Sequence, residues 1–120
     1  MNLLVENIQY FFDNRLLIEM ANLQPSDTGL KPVINIVSKG GAKHGARVKV
    51  SNIAGTFHHT DNFSLTLEPE PRVIGSCKIK KEHLEDIKDW VALNRDHLVK
   101  VWHHGDSMSI HDVANGFKKL

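Results

Sequence analysis

The chain has 120 residues, is 41% hydrophobic and 24% charged, and carries a formal net charge of +1. That is the balance of one globular domain, and it excludes a disordered, collagenous or membrane-spanning chain. A single cysteine, Cys77, excludes an internal disulfide and points to a reducing compartment, so a cytoplasmic location is expected.

Residues 1–6 have no basic leader region and an acid breaks their apolar run, so they read neither as a signal peptide nor as an anchor. No stretch reaches the roughly 18 apolar residues that cross a bilayer, and no membrane contact is expected. Further on, Leu4, Ile8, Phe11 and Phe12 stand at helical spacing and predict a short helix over residues 3–12. Asp13 and Asn14 also make a good turn pair, so a hairpin with arms at 8–12 and 16–20 is the alternative. The helix is preferred, with residues 16–20 entering a strand. Residues 24–29 are dense in turn formers and predict a loop.

The β-branched run at 33–37, bounded by Pro32 and by Gly40 and Gly41, has the composition of a strand buried on both sides. Residues 40–45 make a flexible loop. Alternation over 47–53 sends Val48 and Val50 one way and Arg47, Lys49 and Ser51 the other, which predicts a half-exposed strand with a basic outer face. A connection over 52–62 leads to a second alternating run. There Phe63, Leu65 and Leu67 face inward, Ser64, Thr66 and Glu68 face outward, and Pro69 and Pro71 end it. Val73 and Ile74 begin one more short strand.

From about 81 to 103 the period changes from two to about 3.6 residues. Leu84, Ile87, Trp90, Val91, Leu98, Val101 and Trp102 form one stripe of a long amphipathic helix. Glu82, Glu85, Asp86 and Asp89 complement its positive N-terminal dipole end, and Asp96 with Lys100 offers an i,i+4 pair. Both tryptophans are expected to pack on the sheet. Gly105 is expected to stop the helix. Ser109 and Asp112 have capping-box spacing, which predicts a terminal helix over 110–117. The whole is a single α+β domain over residues 1–120: a small antiparallel β-sheet packed against one long C-terminal α-helix, with short helices at the N- and C-termini.

Cations are concentrated in two acid-free stretches. Residues 30–52 hold Lys31, Lys39, Lys43, Arg47 and Lys49, and residues 72–81 hold Arg72, Lys78, Lys80 and Lys81. If the strand of Arg47 and Lys49 pairs near the turn of Lys78 and Lys80, one end of the sheet presents Lys39, Lys43, His44, Arg47 and Lys49 together. The bland reading is a solvated polar face. Aromatic residues are 7% of the chain and most fit the core stripe, so a protein partner with an acidic surface suits the patch better than a nucleic acid, which recruits exposed rings for stacking.

Residues suited to catalysis or metal binding are few. His103, His104 and His111, with Asp106 and Asp112, bring imidazoles and carboxylates into one short stretch, but their spacing fits no established ligand pattern. Adjacent histidines on a helix diverge by about 100°, so surface histidines are the expected reading, as for His58 and His59 with Asp61. Cys77 lacks a nucleophile's surroundings, and no serine sits in a G-x-S-x-G setting. Residues 40–45 contain glycines and a lysine without the Gly-Lys-Ser/Thr ending of a phosphate loop, and they precede a strand. No cofactor is expected.

Several of these segments resemble a family of small bacterial proteins of unknown function. The similar text is His44, Val48, Lys49 and Val50 in an H-x-x-V-K-V-like strand, then Arg72-Val73-Ile74-Gly75, then a helix of the form W-v-x-x-(N/H)-r-x-x-L-x-x-x-W carried by Trp90, Val91, Asn94, Arg95, Leu98 and Trp102. The ending Phe117-Lys118-Lys119-Leu120 is also similar, and the likeness spans about residues 31–120, without the proline that often precedes the family's histidine. The resemblance implies a compact α+β domain whose genes often lie near toxin-antitoxin or mobile-element systems, and no established reaction. The first expectation is therefore a non-enzymatic protein-binding or regulatory protein, antitoxin-like or a phage-type inhibitor of a larger complex, acting through Lys39, Lys43, His44, Arg47, Lys49, Lys78 and Lys80. A nucleic-acid-binding accessory domain using the same residues is the second. A small metal- or thiol-dependent enzyme built on His103, His104, His111 or Cys77 is the third.

Overall fold

The computed structural model describes residues 18–120, and the predicted helix over residues 3–12, like most of its hairpin alternative, lies outside them. Among the described residues five strands form one sheet in simple chain order: β1 (Ile18–Leu23), β2 (Ile34–Ser38), β3 (Arg47–Ser51), β4 (Asn62–Thr66) and β5 (Val73–Ile74). Every neighbouring pair is antiparallel, and a bulge at Met20 shifts the β1–β2 register. The helix α2 (Lys81–His104) follows the sheet and runs into a short 3-10 turn at Gly105–Ser107 and the helix α3 (Ile110–Asn115). This is the α+β architecture that the change of period announces. Among the described residues no helix is long and apolar enough to cross a membrane.

The core forms where two periodic patterns meet. Ile34, Ile36, Val48, Val50, Phe63 and Leu65 line one face of the sheet, and Ile87, Trp90, Val91, Leu98 and Val101 of α2 are buried with them in one cluster. Trp90 and Trp102 are both interior, at 0% and 2% exposure. Trp90 stacks on Phe117, and the Trp102 ring meets His44 of the β2–β3 loop. Each large side chain removed from water in this way contributes about 1.5–3 kcal/mol.

Asn94 is buried in the middle of α2 yet fully engaged. Its amide nitrogen donates to the carbonyls of Trp90 and Lys118, and its oxygen accepts from the Lys118 N–H at 2.7 Å. One side-chain amide thus pairs with a peptide unit as a strand would, and it holds the segment after α3 along the helix. His97 meets the carbonyl of Val113 and the ring of Phe117. Gly116 is needed beside it, because a Cβ there would overlap the imidazole.

Local chemistry alters several expectations. Residues 24–29 contain a one-turn helix, α1 (Pro25–Thr28), with proline in its first turn, a reciprocal cap between Gln24 and Asp27, and Gly29 at φ 79° closing it. Gly105 keeps a right-handed helical conformation; the backbone turns into the 3-10 segment there, and a Cβ would stand 3.1 Å from both Ser38 and Val101. The cap at Ser109 forms as predicted, its hydroxyl accepting from the Asp112 N–H at 3.0 Å, although α3 ends two residues before the predicted 117. No ion pair joins Asp96 to Lys100 among those formed by the described residues.

The largest correction concerns the sheet face turned away from α2. Lys49, Ser51, Ser64 and Thr66 were expected to face solvent, yet all are buried, whereas Val33, Asn35 and Val37 are buried as the two-sided strand predicts. Lys49, at 3% exposure, is engaged in interactions of its own and does not belong to an open basic face. Register aligns Asn22, Asn35, Lys49 and Ser64 in one polar row across four strands, and Asn35 donates to Asn22 at 2.7 Å within it.

Candidate functional site: an arginine-lined cleft at one end of the sheet

Strand direction divides the expected basic patch. β3 begins at Arg47, next to the β2–β3 loop of Lys39, Lys43 and His44, and ends at Ser51. Lys78 lies beyond that second end, where its N–H donates to the Asn52 side chain and its ammonium stands 3.0 Å from Asp61. Lys80 follows as the N-cap residue of α2. Lys39, Lys43, His44 and Arg47 thus share one end of the sheet, Lys78 and Lys80 belong to the other, and Lys49 is buried between them.

Two arginines outside the expected patch, Arg72 and Arg95, join Arg47 at the first end. Arg47 faces Thr66 across the β3–β4 ladder. Thr66 in turn folds the β4–β5 turn back on itself: its N–H donates to the Arg72 carbonyl and its hydroxyl accepts the Arg72 N–H at 2.8 Å. That brings the second guanidinium to the first. The third comes from α2, where Arg95 donates to the carbonyl of Leu67. Together they line an open cleft of about 270 Å³ with Leu67, Pro69 and Val99 as its apolar wall.

The electrostatics of the cleft are unbalanced. Among the described residues Glu68 is its one acidic lining residue, and it is taken by Arg72, whose Nε lies 2.7 Å from Oε1 and whose Nη2 lies 3.3 Å from Oε2. That contact holds the Glu68 carboxyl below its usual range and raises Arg72. Arg47 is lowered, first by burial and then by the like charge of Arg72. Among the described residues neither Arg47 nor Arg95 has a carboxylate partner, and the buried Nε of Arg47 has no acceptor. A buried donor on a charged group is costly to leave unmatched.

The histidines are dispersed. His103 and His104 are exposed with ring centroids 6.2 Å apart, and His111 is bound to Asn115 on α3. His58 meets Thr60 within the β3–β4 loop, where His59 packs edge-on against Phe57. No three histidine, cysteine, aspartate or glutamate side chains gather with metal-holding geometry among the described residues. Cys77 is half-buried and packs against the core.

The chain matches no protein-family model, no curated protein and no solved structure. Its reading therefore rests on its own residues. The arginine cleft was detectable in outline, since Arg47 and Arg72 stand in the two acid-free stretches. Arg95 gave no comparable signal, because on an amphipathic helix a charged residue beside the apolar stripe reads as solvated.

Proposed function

We propose that this is a non-enzymatic binding protein whose cationic sheet end, formed by Arg47, Arg72 and Arg95 with Lys39, Lys43 and His44 on the adjoining loop, contacts an acidic surface on a larger protein partner. An antitoxin-like or phage-type inhibitory role is the form of this activity that the sequence resemblance suggests. The observation that carries the reading is the convergence of three guanidinium groups on one cleft with a single carboxylate among its described lining residues. A local surplus of positive charge both steers an acidic partner and costs the unbound protein self-repulsion that the partner relieves. The described aromatic rings favour a protein over a nucleic acid as partner: Phe63, Trp90 and Trp102 are interior, and Phe57 and Phe117 are engaged with His59 and Trp90.

Photo-cross-linking in the source cell tests this directly, with a photoreactive amino acid in place of Lys43 or, separately, of Lys78. The expected result is a discrete protein adduct from position 43 that fades as salt is raised and is absent from position 78. Equal adducts from both positions, or adducts to nucleic acid from position 43, would overturn it.

A further inference from the structure

The cleft itself carries a more specific assignment, which rests on the protein-binding reading. We propose that it is a carboxylate receptor for a glutamate side chain on an acidic protein segment, with the carboxylate held by Arg47 and Arg95 and the aliphatic stem lying against Leu67, Pro69 and Val99. Three features of the site converge on that chemistry. The guanidinium groups and the apolar wall line the same opening, which suits an anion on a short hydrocarbon stem better than a fully hydrated one. Arg47 lines the opening with no carboxylate partner among the described residues, and a guanidinium presents its N–H groups as a planar fork whose natural partner is a carboxylate. The protein already displays this pairing in the same cleft, where Glu68 engages Arg72 through two nitrogens. One position of the cleft is thus filled by an internal carboxylate, and the neighbouring arginines offer a second of the same kind.

Depression of Arg47 by burial and by Arg72 agrees with this, since an incoming carboxylate would offset both effects. Loop lysines do not provide an equivalent site. Lys39 and Lys43 are exposed, and such groups act as screened point charges. They add attraction over distance, whereas the cleft selects the group that enters it.

Calorimetric titration of the full chain with a blocked Gly-Ala-Glu-Ala-Gly peptide tests the assignment, with the glutamine counterpart and inorganic phosphate as parallel probes at equal ionic strength. The glutamate peptide is expected to bind and the glutamine peptide not to. Arg47→Met should weaken binding by about tenfold or more, as loss of a charge-assisted pair does, while Lys43→Ser should change it by less than about threefold. Gly45→Glu provides a second variant that does not disturb packing: Gly45 lines the cleft and a Cβ there meets nothing within 4 Å. Its new carboxylate should occupy the arginines, abolish peptide binding and raise the melting temperature.

Binding of phosphate but not of the glutamate peptide would overturn the carboxylate assignment. So would equal affinity for the two peptides, no binding to the unmodified chain, or unchanged affinity in both Arg47→Met and Gly45→Glu. Position 43 adducts that survive while peptide binding fails would sink the cleft assignment alone. Peptide binding that persists without such adducts would uphold the receptor and sink the partner reading.

Discussion

The two ends of the sheet handle charge in opposite ways. At the end where β3 meets β4 and the β5–α2 connection, Asn52 donates to the Asp61 carboxylate and the Ser76 carbonyl, accepts from the Lys78 N–H, and stands beside a Lys78–Asp61 ion pair. At the other end, Arg47, Arg72 and Arg95 share a cleft with Glu68 as the one acid among its described lining residues. Hydrogen bonds and an ion pair between neighbouring loops close the first arrangement, and the second is left open. Cations in a folded chain therefore differ in meaning by their neighbours: one matched by a carboxylate of an adjoining loop ties the two loops together, and one held against its like marks a surface that a partner completes.

Breaking the closed end should cost the most stability. Asn52→Ala removes three side-chain hydrogen bonds and should lower unfolding free energy in urea by about 1–3 kcal/mol, with no change in binding of the glutamate peptide. If peptide binding falls with it, the two ends are not independent.

Acid should weaken a carboxylate contact at each end. Hydrogen bonds from Lys78 and then Asn52 hold the Asp61 carboxyl below its ordinary range. A depressed folded value means that its stabilisation is complete above the unfolded carboxylate value of about 4 and is lost as pH falls through the lower folded value. Glu68 behaves in the same sense through Arg72. Melting temperatures measured from neutral to acid should therefore fall less steeply at the acid end in Asp61→Asn than in the unmodified chain. Parallel curves would contradict the role given to Asp61.

Arg47→Met should sharpen the contrast by doing little to stability. The substitution keeps an apolar stem and removes both an unmatched buried donor and repulsion from Arg72, so the urea midpoint should hold or rise, any loss staying within about 0.5 kcal/mol. A clear loss would show that Arg47 is structural. The smallest effect is expected for Glu68→Gln, which frees Arg72 from its internal partner and should tighten the peptide by about two- to threefold at low salt.

Much of the scaffold was legible because it is periodic. The α2 stripe, the β-branched run of β2 and the Ser109 cap each repeat a local rule, and local rules survive folding. What failed depended on neighbours distant in sequence. Lys49, Ser64 and Thr66 alternate with core residues as they would on a solvated face, and nothing in alternation reports whether that face is covered. Residues 24–29 mislead for another reason: proline, aspartate and glycine are turn formers and also the cap residues of a one-turn helix.

The candidate site was half legible. Arg47 stood out in its acid-free stretch, with Lys39, Lys43 and His44 on the loop before it. The expected companions Lys78 and Lys80 were assigned to the wrong end, because pairing order along a meander decides which loops meet. Arg72 reaches the cleft through Thr66, and Arg95 through the path of α2 over the sheet. Neither route leaves a trace in the spacing of residues.

The most direct measurement of the central claim follows the arginine Nε–H resonances of the 15N-labelled full chain while the glutamate peptide is added at constant ionic strength. The Arg47 Nε–H, buried and without an acceptor in the unbound protein, should move progressively to a saturating position, with the backbone signals of Asn52, Asp61 and Lys78 unchanged. An Arg47 signal that stays in place, or shifts of equal size at both ends of the sheet, would contradict the claim that the open end is built to receive a carboxylate.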